Sequence, residues 1–360
     1  MRSLLVLSLA LASCQRREEP SARAAPLPTP SASVTSSAVA TPPPRTVTLL
    51  AGGDIDFGRA VGRRILREPG FRPLGRLSPL FETADLVFAN LECPLSDQGG
   101  EVVKPWSPLV FNAPKEAAPA LAPIHVVSTA NNHVWDYGEA AALETLERLE
   151  RAGIAHVGLS RSTGRASEAV VVERGGVRFG FVALTEIWNQ GPISRHPARD
   201  RVAHDPEETL AAIRAVAPAV DVVIVSHHAG EEYRSAPLPA LVALRRRFVD
   251  AGAHVVLGHH PHVPQRVEVY RGRPIFHSLG NLAMQMNRHH PATEHGLVAR
   301  VTIEGRSIAR VEACVIQQRG LEPEPVTSPA VLSLLAGRHG LDLGADGCGP
   351  IHLAFAEEAR

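Results

Sequence analysis

Short apolar runs that alternate with amphipathic helical segments constrain the fold of this chain more than any other feature of its sequence. Residues 47–52 are apolar and end in paired glycines, which is typical of a buried strand. Residues 138–152 carry leucines at positions 143, 146 and 149 between charged residues, which predicts an amphipathic helix that Gly153 ends. We predict further strands at 86–89, 125–128, 169–173, 177–183, 220–225 and 254–257, and a helix at 237–251.

The pattern changes after residue 263, where apolar runs follow one another without helices between them. Runs at 267–270, 274–278, 296–303 and 308–316, with Arg-Gly and Glu-Gly turns, predict an antiparallel meander. One short helix is predicted at 330–340. Alternating units followed by hairpins predict an α/β or layered α+β domain. We place it at 46–320, with a C-terminal extension at 321–360.

Composition and charge exclude two classes of protein. The 360 residues include 37 Lys and Arg against 37 Asp and Glu, so the formal net charge is zero. Nucleic-acid binding usually needs a surplus of cations, so we expect no nucleic-acid partner. A hydrophobic content of 44% is that of a globular protein and excludes a wholly disordered chain.

The first residues are typical of an export signal. Arg2 precedes an apolar run at 4–11, which is too short to span a bilayer, and the run leads into Leu11-Ala12-Ser13-Cys14. This resembles the bacterial lipobox, so we predict a lipoprotein signal peptide at 1–13 and lipid modification of Cys14; the alternative is an ordinary signal peptide. Residues 15–45 contain seven prolines, and we predict that 14–45 form a disordered tether. We therefore expect an exported, membrane-anchored lipoprotein on the periplasmic or cell-surface side.

Three cysteines remain if Cys14 is acylated. They are Cys93, Cys314 and Cys348. At most one disulfide can form among them within the chain, and the sequence does not decide which.

Carboxylate, amide and imidazole groups cluster where five of the predicted strands end. Ligands of α/β sheets bind at the carboxyl ends of the strands. This set of side chains holds divalent first-row metals without thiolate, and a hydrolytic metal site lowers the pKa of water to about 7. In chain order the groups belong to Asp54, Asp56, Asn90, Glu92, Asn131, Asn132, His133, Asp136, His227, His228, His259, His260 and His262.

Seven short blocks carry a family resemblance, in order, over about residues 47–290. The chain resembles the poly-gamma-glutamate capsule biosynthesis protein CapA family, whose domain is similar to the calcineurin-like metallophosphatases. The resemblance implies a four-layer αββα sandwich with a metal site at one end. The blocks are Gly53-Asp54 with Gly58-Arg59, Ala89-Asn90-Leu91-Glu92, Ala130-Asn131-Asn132-His133 with Asp136-Tyr137-Gly138, Ser226-His227 with Glu232-Tyr233, Gly252-Ala253, Gly258 through Val263, and Ser278-Leu279-Gly280-Asn281.

The resemblance also implies roles for individual residues. His133 would protonate the leaving group, and Asp136 would orient the His133 side chain. One or two divalent transition metals (Mn, Fe or Zn) would be held by Asp54, Glu92, Asn132, His227, His260 and His262. We further predict substrate contacts from Arg59, Asn131, Glu232 and Tyr233.

Several alternatives remain open. The family register favours His227 over its neighbour His228 as a ligand. Asn131 could instead form a turn, and Asp56 could cap the following helix. The metallophosphatases usually have Asp-x-His after the first strand, whereas Asp56 stands at the second of these positions here, so we expect one tightly held metal and a weaker second.

Two functions are consistent with this pattern. The first is an envelope-anchored, metal-dependent hydrolase that acts on a phosphoester or on an anionic polymer such as polyglutamate. The second is a non-catalytic accessory protein in the synthesis or export of an anionic capsule polymer, in which membrane proteins of capsule synthesis would be partners. The missing histidine favours the second function, and the pair Asn132-His133 favours the first.

Overall fold

Two β-sheets form the centre of the protein. The computed structural model describes residues 46–98, 109–285 and 289–353. In chain order the strands are β1 (Thr46–Ile55), β2 (Leu86–Leu91), β3 (Val126–Ser128), β4 (Ala155–Val157), β5 (Val170–Arg174), β6 (Val177–Thr185), β7 (Val222–His228), β8 (Val255–His259), β9 (Val267–Tyr270), β10 (Arg273–Phe276), β11 (Asn281–Ala283), β12 (His295–Glu304), β13 (Ser307–Arg319), β14 (Glu322–Pro325) and β15 (Cys348–Pro350).

Helices connect many of these strands. They are α1 (Arg59–Arg67), α2 (Ser78–Phe81), α3 (Gly138–Arg151), α4 (Pro206–Val216), α5 (Pro239–Asp250) and α6 (Pro329–His339). No helix is predicted from the sequence where α4 lies, yet its start is regular. Asp205 Oδ1 accepts a hydrogen bond from the backbone N–H of Glu207 at 2.7 Å, and Pro206 occupies the first turn.

The first sheet has the strand order β14-β13-β12-β1-β2-β3-β4, and β11 and β15 pair with β1 and β13. Strands β1 to β4 are parallel. The second sheet has the order β5-β6-β7-β8-β10-β9, in which β6, β7, β8 and β10 are parallel. The parallel strands bring their carboxyl ends to one edge of each sheet.

The two sheets face each other across an apolar core. Residues alternate along each strand, so that Leu86 and Phe88 of β2 face this core while Val87 and Ala89 face the helices. The rings of Phe88 and Phe181 stack across the sheets with centroids 5.6 Å apart. Helices α1, α2 and α3 cover the outer face of the first sheet, and α4 and α5 cover that of the second. The predicted four-layer αββα sandwich is confirmed.

The single meander expected after residue 263 is corrected by the structure. The hairpins β9–β10 and β12–β13 are antiparallel as predicted. However, β10 pairs in parallel with β8 in the second sheet, whereas β12 pairs with β1 in the first. The chain crosses between the sheets at β11, and this crossing brings Asn281 beside Asp54.

Residues 322–350 pack onto the first sheet. Strands β14 and β15 both pair with β13, and a disulfide joins Cys314 of β13 to Cys348 of β15. Cys93 is a free, buried thiol. The disulfide that the sequence left undecided is therefore Cys314–Cys348.

Within the described ranges, no helix has the length and apolar character that a membrane crossing requires. The predicted signal peptide, Cys14 and the tether lie outside those ranges.

Candidate functional site

The carboxyl ends of strands from both sheets meet at one edge of the sandwich. Asp54 on β1 lies in register with Asn90 on β2 and with Asn281 on β11. On the second sheet, His228 of β7 lies in register with His259 of β8. The predicted convergence of side chains that are distant in sequence is therefore present at this edge.

Two sets of buried donor atoms at this edge could each hold a metal ion. Within each set the donor atoms lie within 4.8 Å of one another. The first set is Glu92, His228 and His260, and the second is Asp54, Glu92 and His262. Glu92 belongs to both sets, so its two oxygens could serve two adjacent ions.

The Glu92 carboxylate is the clearest sign that a cation belongs here. It is fully buried, and neither oxygen accepts a hydrogen bond from the described residues. His228 Nε2 lies 3.4 Å from Oε1 and His262 Nε2 lies 3.9 Å from it. Burial and the nearby Asp54 carboxylate raise the pKa of Glu92 well above its usual range. A buried carboxylate without partners is costly, and a bound cation would stabilise its charged form, so the donor set fits a divalent metal.

His262 responds to the same negative charge. Burial opposes protonation of its ring, but the carboxylates of Glu92 and Asp54 outweigh burial and raise its pKa to about 10. For Asp54, burial acts in the opposite direction to its contacts with His259 and His262, which lower the pKa well below its usual range. Both shifts follow from the close approach of imidazole rings to buried carboxylates at this edge.

The turn after β8 places its two histidines by means of a strained backbone. His260 has φ +94° and His262 has φ +58°, values that non-glycine residues seldom adopt. The backbone N–H of His260 donates to Asp54 Oδ2 at 3.2 Å. The turn thereby brings both rings to the cluster, one in each donor set.

The amide of Asn132 lies beside the first donor set. Its Oδ1 is 2.7 Å from His228 Nε2, and the residue is 2% exposed. An amide oxygen in this position adds a further oxygen donor to Glu92, His228 and His260.

The geometry corrects the choice between His227 and His228. Successive side chains of a strand point to opposite faces, so only one of the two can face the cluster. His228 faces it. His227 faces α5, where its Nε2 is 3.0 Å from Glu186 Oε2 and its Nδ1 accepts a hydrogen bond from Arg245 Nε at 3.3 Å.

His133 and Asp136 form a buried pair. His133 Nδ1 is 2.5 Å from Asp136 Oδ2, which also accepts a hydrogen bond from the backbone N–H of Phe111 at 2.8 Å. The Phe111 ring stacks on the His133 ring with centroids 3.9 Å apart. Since Asp136 occupies Nδ1, Nε2 is the nitrogen of His133 that remains for proton transfer.

A cavity of about 600 Å³ opens over this edge. Its lining includes His133, His262, Arg59, Glu232 and Tyr233. The Arg59 guanidinium lies 5.4 Å from the centroid of the Phe111 ring and forms no ion pair with any residue that the structure describes. A ligand in this cavity would meet the Arg59 guanidinium beside the metal ligands and the His133 pair.

Asn131 does not line this cavity, so its predicted substrate contact is wrong. It is fully buried, and its Nδ2 donates to the backbone oxygen of Leu91 at 2.8 Å. Its Oδ1 accepts a hydrogen bond from the backbone N–H of His133 at 3.1 Å. Asn131 therefore holds the turn that carries His133. Asp56 joins neither donor set, and it does not cap α1 either, because Gly58 is the N-cap residue and its backbone N–H donates to Asp56 Oδ1 at 2.7 Å.

Three further residues at this edge, for which the sequence predicted no individual role, contact the proposed ligands. Asn281 Oδ1 lies 3.0 Å from His262 Nδ1, and Asn90 Nδ2 donates to Asp54 Oδ1 at 2.9 Å. His259 Nδ1 lies 3.2 Å from the same Asp54 oxygen. Each of them belongs to a polar block at a strand end, and this position in the sequence is the feature by which they could be identified as site residues.

Comparison with solved structures finds partial likeness. A hypothetical protein from Thermus thermophilus is 19% identical with a TM-score of 0.46, and the match covers 76% of this chain and 100% of that one. The NAD nucleotidase of Haemophilus influenzae is 12% identical with a TM-score of 0.44, over 81% of this chain and 61% of that one.

Comparison with known sequences identifies relatives over most of the chain. The capsule biosynthesis protein CapA of Bacillus anthracis is 29% identical over 289 residues, which cover 78% of this chain and 70% of that protein. A probable polyglutamine synthesis accessory protein of Mycobacterium tuberculosis is 30% identical over 285 residues, or 66% and 74% of the two chains. Residues 48–286 match the model of the bacterial capsule synthesis protein PGA_cap family. This chain therefore belongs to the bacterial capsule synthesis protein PGA_cap family.

Proposed function

We propose that this protein is a metal-dependent hydrolase of the CapA type that acts on a phosphoester or an anionic polymer. The observation that carries the proposal is the Glu92 carboxylate, which is buried, lacks hydrogen-bond partners among the described residues and is shared by two donor sets. A buried group of this kind is costly unless a cation compensates it.

The residues that would hold the metal are Glu92 with His228, His260 and Asn132 on one side, and with Asp54 and His262 on the other. Mn, Fe and Zn all suit this mixture of oxygen and nitrogen donors. The chemistry that such a metal supplies is Lewis acidity and a water nucleophile available near neutral pH.

The chain's own residues supply binding and proton transfer. Arg59 would bind an anionic group of the substrate in the cavity, and Glu232 and Tyr233 would form its wall. His133, held at Nδ1 by Asp136, would donate a proton from Nε2 to the leaving group. The contact with Asp136 holds the imidazole in one orientation, so that Nε2 is left to transfer a proton to a group bound in the cavity.

One observation favours the second candidate, a non-catalytic accessory protein for an anionic capsule polymer. Asp56 stands where the metallophosphatases usually carry a histidine, and it accepts a hydrogen bond from the backbone N–H of Gly58 and does not join either donor set. The site would then bind metal and polymer without turnover, and membrane proteins of capsule synthesis would be its partners.

A substrate screen separates the two functions. We expect the purified protein with added Mn²⁺ to hydrolyse at least one class among aryl phosphates, phosphodiesters and polyglutamate, and EDTA to remove the activity. Metal binding without turnover on all three classes would contradict the hydrolase and support the accessory role.

We also propose that the protein is exported and anchored through a lipid on Cys14. The support is the short apolar run followed by Leu11-Ala12-Ser13-Cys14 and the proline-rich stretch after it. A Cys14→Ala variant is expected to leave the membrane fraction, because it lacks the thiol that would carry the lipid. Undiminished membrane association of the variant would contradict the anchor.

A further inference from the structure

The turn after β6 contacts the candidate site at two successive residues. Asn132 Nδ2 donates to Asn189 Oδ1 at 3.3 Å, and Gln190 Nε2 donates to Asp136 Oδ1 at 3.1 Å. One contact is made to a proposed metal ligand and the other to the partner of His133.

The turn is itself fixed to the strand that carries His228. The backbone N–H of Glu186 donates to the backbone oxygen of His228 at 3.0 Å. The Thr185 hydroxyl accepts from the N–H of Ile187 at 3.1 Å and donates to its carbonyl oxygen at 2.9 Å, which closes the turn.

The same turn is packed against the segment that carries Asn132. Trp188 packs against an apolar cluster that includes Val134 and Trp135, the residues that follow the Asn132-His133 pair. The turn that carries Asn189 is thus held by protein contacts to both segments that bear proposed ligands.

The orientation of the Asn132 amide decides whether it can be a metal ligand. The two ends of a primary amide are nearly equal in shape, but only the oxygen binds a cation, whereas the NH₂ group repels one. Asn189 accepts from Nδ2 and thereby leaves Oδ1 toward His228. Residues beyond the ligands commonly set ligand orientation in this way, and their loss typically costs about 10–100-fold in metal affinity.

We propose that Asn189 is a positioning residue that fixes the Asn132 amide with its oxygen toward the metal. This inference rests on the proposed function, because it takes Asn132 to be a ligand. It gives the turn after β6 an indirect role in metal binding, in which residues of the turn orient a ligand and do not coordinate the metal.

The test is a titration of the purified, metal-stripped full-length protein with Mn²⁺ by calorimetry. We expect Asn189→Leu to bind Mn²⁺ about 10–100-fold more weakly than the unchanged protein. Asn189→Asp, which keeps the acceptor, should retain the affinity. If the unchanged protein binds no Mn²⁺, the proposed function fails; if it binds Mn²⁺ and Asn189→Leu binds equally well, only the present inference fails.

The same substitution in an Asn132→Asp background distinguishes a loss of amide orientation from a general loss of structure. In Asn132→Asp both terminal atoms are oxygens, so a ligand oxygen faces the metal whichever way the group turns. Asn189→Leu should therefore cause no further loss of affinity in that background, and both variants should unfold at temperatures close to that of the unchanged protein. An equal loss in both backgrounds would show a merely structural role and overturn the inference. Loss of binding in Asn132→Asp alone would also overturn it.

Discussion

Replacing Glu92 by glutamine is expected to abolish metal binding and to leave the fold intact. Glutamine keeps the shape of the side chain but removes the charge that both donor sets share. We expect the affinity for Mn²⁺ to fall by more than the 10–100-fold that is typical of residues outside the ligand sphere. Calorimetric titration, together with elemental analysis of the purified protein, would measure the loss. Near-stoichiometric metal in the variant would contradict the site.

The stability of the metal-free variant provides an independent check with a defined sign. Burial raises the pKa of Glu92 in the folded state. A carboxyl whose pKa is higher in the folded than in the unfolded chain lowers the free energy of unfolding as the pH rises above the unfolded pKa. Glutamine resembles the protonated carboxyl, so in EDTA at neutral pH the variant should unfold at a temperature at least as high as the unchanged protein. Added Mn²⁺ should then stabilise only the unchanged protein, by about 2.7 kcal/mol at 100 times Kd.

The adjacent histidines supply a matched control. His228→Asn should bind Mn²⁺ much more weakly, since His228 belongs to the first donor set. His227→Asn should retain most of the affinity, because that ring contacts Glu186 and Arg245 on the other face of β7. The reverse order of effects would restore His227 as the ligand.

This pair shows where inference from the sequence reaches its limit. Polar residues at strand ends located the site, because parallel strands bring their carboxyl ends to a common edge. The face of the strand to which a side chain points is harder to predict, because the prediction needs an alternation of apolar and polar residues that marks the buried face. Every residue of β7 is buried, because one face packs on the other sheet and the other on helices, so the strand carries no such alternation.

The C-terminal strands show a second limit. The sequence of β14 is Glu-Pro-Glu-Pro, and proline is depleted in strands because it cannot donate a ladder hydrogen bond. Strand β14 tolerates Pro323 and Pro325 because it lies at the edge of the first sheet, where one side of the strand needs no partner. Strand β14 follows β13 directly and pairs with it in a hairpin, with Arg319 opposite Glu322, but its sequence lacks the alternation of apolar and polar residues that predicts a strand.

Replacing His133 by asparagine is expected to keep the metal and remove most of the turnover. The amide nitrogen of asparagine reaches about the position of Nδ1 and can keep the hydrogen bond to Asp136, whereas nothing replaces Nε2. General acid catalysis typically contributes about 10²–10⁴-fold, so kcat should fall by that factor on the best substrate of the screen. Mn²⁺ titration of the variant would verify that the metal site is unchanged.

The dependence on the leaving group tests the acid role directly. A leaving group of low pKa, such as p-nitrophenolate, departs without a proton, whereas an alkoxide needs one. The loss in His133→Asn should therefore be small for a p-nitrophenyl ester and large for an alkyl ester of the same acid. A positioning role for His133 would reduce both rates by the same factor, because the attack on the electrophilic centre would suffer equally in the two esters. Equal losses would therefore remove His133 as the proton donor and leave Asp136 with only a structural part in the site.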